Sequence, residues 1–209
     1  SNNMKKLITL LLVLVTLNGY SQTDDVIEYY NEICSNSEWS GKKTPSRYKK
    51  DIKIYYTGNV SDELIMELNK IVSELNELID IVNVELVNQI DSSNVYLFFG
   101  SGEEFINSLD VTQSKKDRLY RLIKGNWGIF STNESWGTII DSKVFVDTDR
   151  NKQLVRQKHL LREELTQSLG FPNDSYEYED SIFQQKWTEV TEYSDLDREI
   201  IKLHYLSQK

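Results

Sequence analysis

The chain has 209 residues, with 33 acidic against 24 basic side chains and a formal net charge of −9. That balance excludes the basic footprint that nucleic-acid backbones require, and the single cysteine, Cys34, excludes an internal disulfide. His159 and His204 are the two histidines, which leaves little material for a Cys-His or Ser-His-Asp nucleophile.

Ser1-Asn2-Asn3 ahead of Met4 read as an expression scar and stand outside fold reasoning. Lys5 and Lys6 precede an apolar run from Leu7 to Leu17, with Asn18, Gly19 and Ser21 beyond it. A charged start, a short apolar core and small residues at its end describe a secretory signal peptide. The run is too short for a transmembrane helix, which needs about 20 residues. The expected product is exported, periplasmic or extracellular, with no membrane span after cleavage. The expected division is 1–22 scar and signal peptide, 23–50 a polar linker segment, and 51–209 one domain.

Within that division, Val26 to Ile33 has helix-like spacing, and Ser35 to Lys50 reads as a loop carrying Gly41 and Pro45. Its basic residues, among them Lys42, Lys43 and Arg47, suit a solvated segment. Asp51 to Thr57 alternates polar and apolar, the period of a strand. Ser61 is placed to cap a helix running to about Ile79, with Leu64, Leu68, Ile71, Leu75 and Leu78 on one face. Val82 to Val87 and Asn94 to Gly100 are further strands, the latter apolar enough to be central. Short helices follow at Gly102–Leu109 and Lys115–Ile123. Trp127–Phe130 and Trp136–Ile140 read as extended pieces joined by a polar turn, and Val144–Asp147 as a last strand. Thr148 or Asp149 is expected to cap a long helix ending at Gly170, where Pro172 forbids continuation. Ser194 caps a final helix.

The long helix carries the most specific pattern: Glu163, Glu164, x, x, Gln167, x, x, Gly170, x, x, Asn173. In a zinc-protease helix, HExxH sets two histidines one turn apart on one face, with the glutamate beside the first polarising the metal-bound water. An extended form adds a glycine and a third histidine. Here the glutamate (Glu164) and the glycine (Gly170) keep register, while Glu163, Gln167 and Asn173 stand where histidines would. Downstream, Asp180-Ser181-Ile182-Phe183 is similar to the tight turn that lies below such a metal, with Phe183 in the place of its methionine. The helix from Ser194 to Tyr205 is similar to the closing helix.

On these residues the chain resembles a group of exported bacterial zincin-like domains related to metzincins, in which HExxH is degenerate. The resemblance covers roughly Asp51 to Tyr205. It implies an α+β single domain: a twisted mixed sheet packed on two long helices, with a C-terminal helix. It implies Gly170, Asp174, Ser181 and Phe183 as cleft or structural positions, and Glu164 as the general base of any hydrolysis. Glu163, Gln167 and Asn173 offer oxygen donors. Such a set suits a hard cation (calcium, magnesium or manganese) better than zinc, which wants histidine or cysteine. The alternative, and the expectation here, is a hydrogen-bonded polar cluster without a cofactor.

His159 shares a face with Glu163, as a displaced ligand or as an ordinary ion-pair partner, and His204 reads as a packing residue. The acidic run around Asp174, Glu177, Glu179 and Asp180 lacks the oxygen spacing of a calcium loop. Tyr176, Tyr178, Trp136 and Trp187 are candidates for cleft walls or for core. The expected function is therefore a domain without zinc-protease activity whose cleft takes an extended peptide or polypeptide. Two alternatives stay open. One is an unorthodox metal-dependent peptidase or hydrolase with Glu164 as base, and the other is a structural export product with a vestigial cleft.

Overall fold

The computed structural model describes residues 24–34, 36–37, 41–42 and 45–206. The signal-like stretch and the scar lie outside the described residues. Helix α1 covers residues 24–34, and the two-residue strands β1 (Asn36–Ser37) and β2 (Gly41–Lys42) pair antiparallel. The segment expected to be a polar linker contributes Tyr29, Ile33, Cys34 and Tyr48 to the main core.

A five-stranded mixed sheet follows, built from β3 (Ile52–Gly58), β4 (Val84–Leu86), β5 (Val95–Gly100), β6 (Gly128–Ser135) and β7 (Thr138–Asp147). The strand order is β4-β3-β5-β7-β6. All neighbours are parallel except β6, which runs antiparallel to β7 at one edge. Alternation of side chains across the pleat sorts the core into two layers. Val95, Leu97 and Phe99 of β5 and Val144 and Val146 of β7 face the main core. Phe98 and Phe145 face a smaller one.

The main core lies under α2 (Asp62–Leu78), α5 (Leu154–Gln167), α6 (Asp195–His204) and α1. Leu64, Leu68, Ile71, Leu75 and Leu78 bury the α2 stripe that the 3.6-residue period marks. The smaller core lies under α3 (Gly102–Ser108) and α4 (Gln113–Gly125), where Phe105 stacks on Phe145 at 4.9 Å between ring centroids. The architecture is thus α+β, with six helices and the five-stranded mixed sheet among the described residues. No helix among them is long and apolar enough to cross a membrane.

Two local expectations are corrected. The pieces around Trp127 and Trp136 and the strand at Val144 are one long hairpin, turning at Trp136-Gly137, where Trp136 has φ 52° and Gly137 φ 69°. The polar residues 131–135, expected to form a turn, lie in its edge strand.

Neither Thr148 nor Asp149 caps α5. The Asp147 carboxylate accepts the N–H groups of Asp149 (3.1 Å) and Arg150 (2.7 Å), and the Arg150 Nε–H at 2.5 Å. This local turn competes with helix start, and α5 begins only at Leu154.

At the other end of α5, Gly170 has φ +119°, open to glycine and costly for other residues. A Cβ there would sit 2.2 Å from the Ser46 carbonyl oxygen and 2.5 Å from His204 Nε2. The helix exit is therefore clamped between the 45–48 segment and α6.

Candidate functional site

Helix α5 lies beside β6, and between them runs a cleft of about 500 Å³. His159, Glu163, Glu164 and Gln167 line it from the helix, Trp127 and Gly128 from the start of the edge strand, and Asp174 with Gln184 to Trp187 from the irregular stretch after α5. The i, i+4 spacing places His159, Glu163 and Gln167 on one face. Glu164 reaches the same cleft from one position further round, against β6. A Cβ on Gly128 would meet Glu164 Oε1 at 2.5 Å, so only the glycine leaves room for the carboxyl there.

The polar groups are mutually engaged. His159 Nδ1 lies 2.7 Å from the Val190 carbonyl, which only accepts, so this nitrogen donates. Its Nε2 faces Glu163 Oε2 at 3.3 Å. Both ring nitrogens meet acceptors, the arrangement of an imidazolium. Burial disfavours that charge, but the hydrogen bond and negative charge of Glu163 outweigh it and raise the His159 pKa.

Gln167 Nε2 donates to Asp174 Oδ1 at 2.5 Å. Asn173, expected to converge with Glu163 and Gln167, does not. Its amide turns away and donates to the carbonyls of Glu32 (3.1 Å) and Ile33 (3.0 Å), tying the helix exit to α1. Asp174 takes the place in the cleft instead.

Glu164 stands apart from these pairs. It is 8% exposed. Burial first, and then the negative charges of Glu163 and Asp174, hold its pKa well above the usual carboxylate range.

The 180–183 turn abuts this floor. Ser175 N–H donates to Phe183 O at 2.8 Å, and Gln185 N–H to Ser175 O at 2.8 Å. Fully buried Phe183 packs on Phe171 at 5.6 Å, just after the helix exit, and the next residue, Gln184, lines the cleft. Ser181 Oγ donates to Asp197 Oδ1 (2.6 Å) and therefore accepts from Tyr29 Oη (2.6 Å). Asp197 also closes the capping box of α6 with Ser194. The turn, α1 and α6 are thus locked together beneath the site.

His204 is buried and neutral, with Nε2 donating to Ser46 O and Nδ1 accepting from Tyr30 Oη, each at 3.1 Å. Burial pushes its pKa down to about 4.

Among the aromatic candidates, Trp187 lines the cleft. Trp136 projects from the hairpin tip at 97% exposed, Tyr176 is exposed, and Tyr178 packs on Tyr29 at 4.7 Å. Trp127, which the sequence reading did not assign to the site, meets Trp187 edge to face at 5.5 Å. Arg156 lies over Trp187 at 5.6 Å and pairs with Glu189 at 3.0 Å. Gly128, Gln184 and Lys186 were also missed. Only their approach across long sequence separations brings them to the cleft.

Among the described residues no group of three or more His, Cys, Asp and Glu side chains is placed to hold a metal ion. The Gln167 amide donates to Asp174, and the Asn173 amide faces α1. The described residues do not fit a zinc site.

Backbone geometry adds a second property. Asp147 N–H donates to Trp127 O, which makes Trp127 and Asp147 a hydrogen-bonded pair of the antiparallel ladder. With the register Gly128↔Val146, Ile129↔Phe145, Phe130↔Val144, the alternate residues Gly128, Phe130 and Thr132 direct their N–H and C=O groups away from β7. Among the described residues that edge carries no further strand. A separate hollow of about 20 Å³ lies further along, lined by Phe130, Thr132 and Glu134 of the strand with Gln167, Gly170 and Pro172.

A search of curated proteins finds no match to the chain. A protein family described as "Protein of unknown function (DUF2927)" matches residues 23–208, from just before α1 to beyond α6. The chain belongs to that family.

Proposed function

We propose that this chain is an exported zincin-like domain without zinc-protease activity, and that its cleft binds an extended peptide by strand addition to β6. One observation carries the reading: the edge of β6, unpaired among the described residues, turns alternate backbone groups outward, and Gly128 at its start lies in the wall of the cleft lined by Glu163, Glu164, Gln167 and Asp174. A sheet edge with unpaired donors and acceptors is a template for another extended chain. Here it is bordered by side-chain pockets and a tryptophan wall, which are the means of specificity. The zincin-like part of the reading draws support from the antiparallel edge strand beside α5, from the buried turn at Phe183 next to the cleft floor, and from the closing helix. Export draws support from the Lys5-Lys6 start and the Leu7–Leu17 run.

The test uses proline at an outward-facing edge position. Thr132→Pro deletes an N–H that points away from β7 and spares the ladder to β7, since edge strands tolerate proline there. An immobilised library of extended peptides should yield binders to the wild-type chain. Thr132→Pro should weaken them about tenfold, in line with the loss of a main-chain hydrogen bond whose partner is left unmet, with an unchanged circular dichroism spectrum. A library without binders sinks the proposal.

One observation favours the hydrolase alternative. A cleft carboxyl with a strongly raised pKa, as at Glu164, is a typical functional-site signature. That reading requires peptide or ester cleavage that Glu164→Gln abolishes. It fails if broad substrate panels stay uncut with each divalent cation tried.

A further inference from the structure

Two side chains in the cleft have unmet hydrogen-bonding capacity. Glu164 has no hydrogen-bond partner among the described residues, and the charges that act on it, Glu163 and Asp174, have its own sign. Gln184 is 4% exposed; its Oε1 accepts from the Lys186 N–H at 3.1 Å, which orients the amide and leaves Nε2 buried without an acceptor. A buried polar atom left unmatched costs free energy; Gln184 Nε2 has no surface by which a ligand could reach it, whereas Glu164 lines the cleft, and a ligand that supplies its missing donor gains affinity.

The complement of Glu164 is a cationic donor. An extended peptide carrying lysine or arginine supplies one. In the same cleft stands the Trp127–Trp187 wall, which already carries one guanidinium, that of Arg156. Such a surface suits the aliphatic stem and charged head of a basic side chain.

The cations already facing the cleft do not serve Glu164. Arg156 is paired with Glu189, and His159 with Glu163, while Lys186 is exposed at the rim. We propose that the cleft selects peptides bearing a lysine or arginine, whose cation sits on the Glu164 carboxylate. This rests on the peptide-binding reading above. The raised pKa of Glu164 agrees with it, because the proton occupies the place the ligand's charge would take.

The experiment compares two extended peptides that differ at one position, lysine against the uncharged norleucine, by calorimetry on the full chain. n-Butylammonium forms a separate arm followed by tryptophan fluorescence. The lysine peptide should bind about tenfold more tightly, the scale of a charge-assisted contact, and should release a proton, seen as a buffer-dependent heat. Glu164→Gln should remove the preference. So should Gly128→Ala, which displaces the same carboxyl from the opposite side and guards against a folding defect in the first variant.

Equal binding of the two peptides overturns the basic preference and leaves strand addition standing. A preference that survives both variants overturns the role of Glu164. Binding of n-butylammonium to wild type but not to Glu164→Gln, with no peptide bound, upholds the cation site as one for free amines and removes strand addition. Silence in every arm overturns both.

Discussion

Glu164 is a carboxyl pressed against a glycine of the edge strand, enclosed on all sides but the cleft, with two other acids close by. Its protonation has a consequence for stability. The folded state keeps this proton at pH values where the unfolded chain, with a pKa near 4.5, has released it. The stability it contributes is therefore full below about pH 4.5 and is lost as pH rises toward the folded value. Glu164→Gln should flatten that decline, so that the variant gains on wild type in thermal melts as pH rises from 5 to 8. His159 acts in the same direction as Glu164, while neutral His204 acts oppositely between about 4 and 6.5. Both are common to the two proteins and cancel in the difference. A constant difference in melting temperature over that range would show that Glu164 is ionised in the fold.

At the scale of elements, α5 is held from behind by an ionic cluster. Arg162 is fully buried; its Nη2 donates to Glu67 at 2.7 Å, its Nη1 to Glu74, and its guanidinium lies 4.5 Å over the Tyr193 ring. Both glutamates belong to α2, so the cluster fixes α5, and with it Glu163 and Glu164, relative to the sheet. Removing one partner of such a cluster strands the others in low dielectric, whereas replacing all of them by apolar groups is far cheaper. Arg162→Leu should cost about 3–5 kcal/mol in urea unfolding. Adding Glu67→Leu and Glu74→Leu should recover most of that loss. If the single change costs under about 1 kcal/mol, the cluster is not what positions the helix.

Elements with regular periodicity were legible in the sequence. The alternation at Ile52–Gly58, the apolar stripe of α2 and the Ser194 cap of α6 all appear where the sequence places them. What was not legible turned on local competition and on exits. Asp147 draws in the N–H groups that Thr148 was expected to organise, and the polar 131–135 stretch sits in an edge strand, where half the side chains face water. The site shows the same limit. Spacing on one helix suffices to group His159, Glu163 and Gln167. The choice of Asp174 over Asn173 depends on the turn the chain takes at Gly170, which no spacing fixes.

On the scale of the whole molecule, the sheet's two faces are both covered, and the chain's buried hydrogen-bond network gathers α1, the 180–183 turn and α6 beneath one end of the cleft. Among the described residues, the edge along Gly128, Phe130 and Thr132 is left unpaired, and it starts at the polar floor of the cleft. Amide hydrogen exchange followed by NMR, with and without a library-selected peptide, tests this most directly. The account predicts that the peptide slows exchange at Gly128, Phe130 and Thr132 and leaves Ile129 and Ser131, already bonded to β7, as they were. A bound peptide that protects none of the three, or that protects residues on another face of the sheet instead, would contradict it.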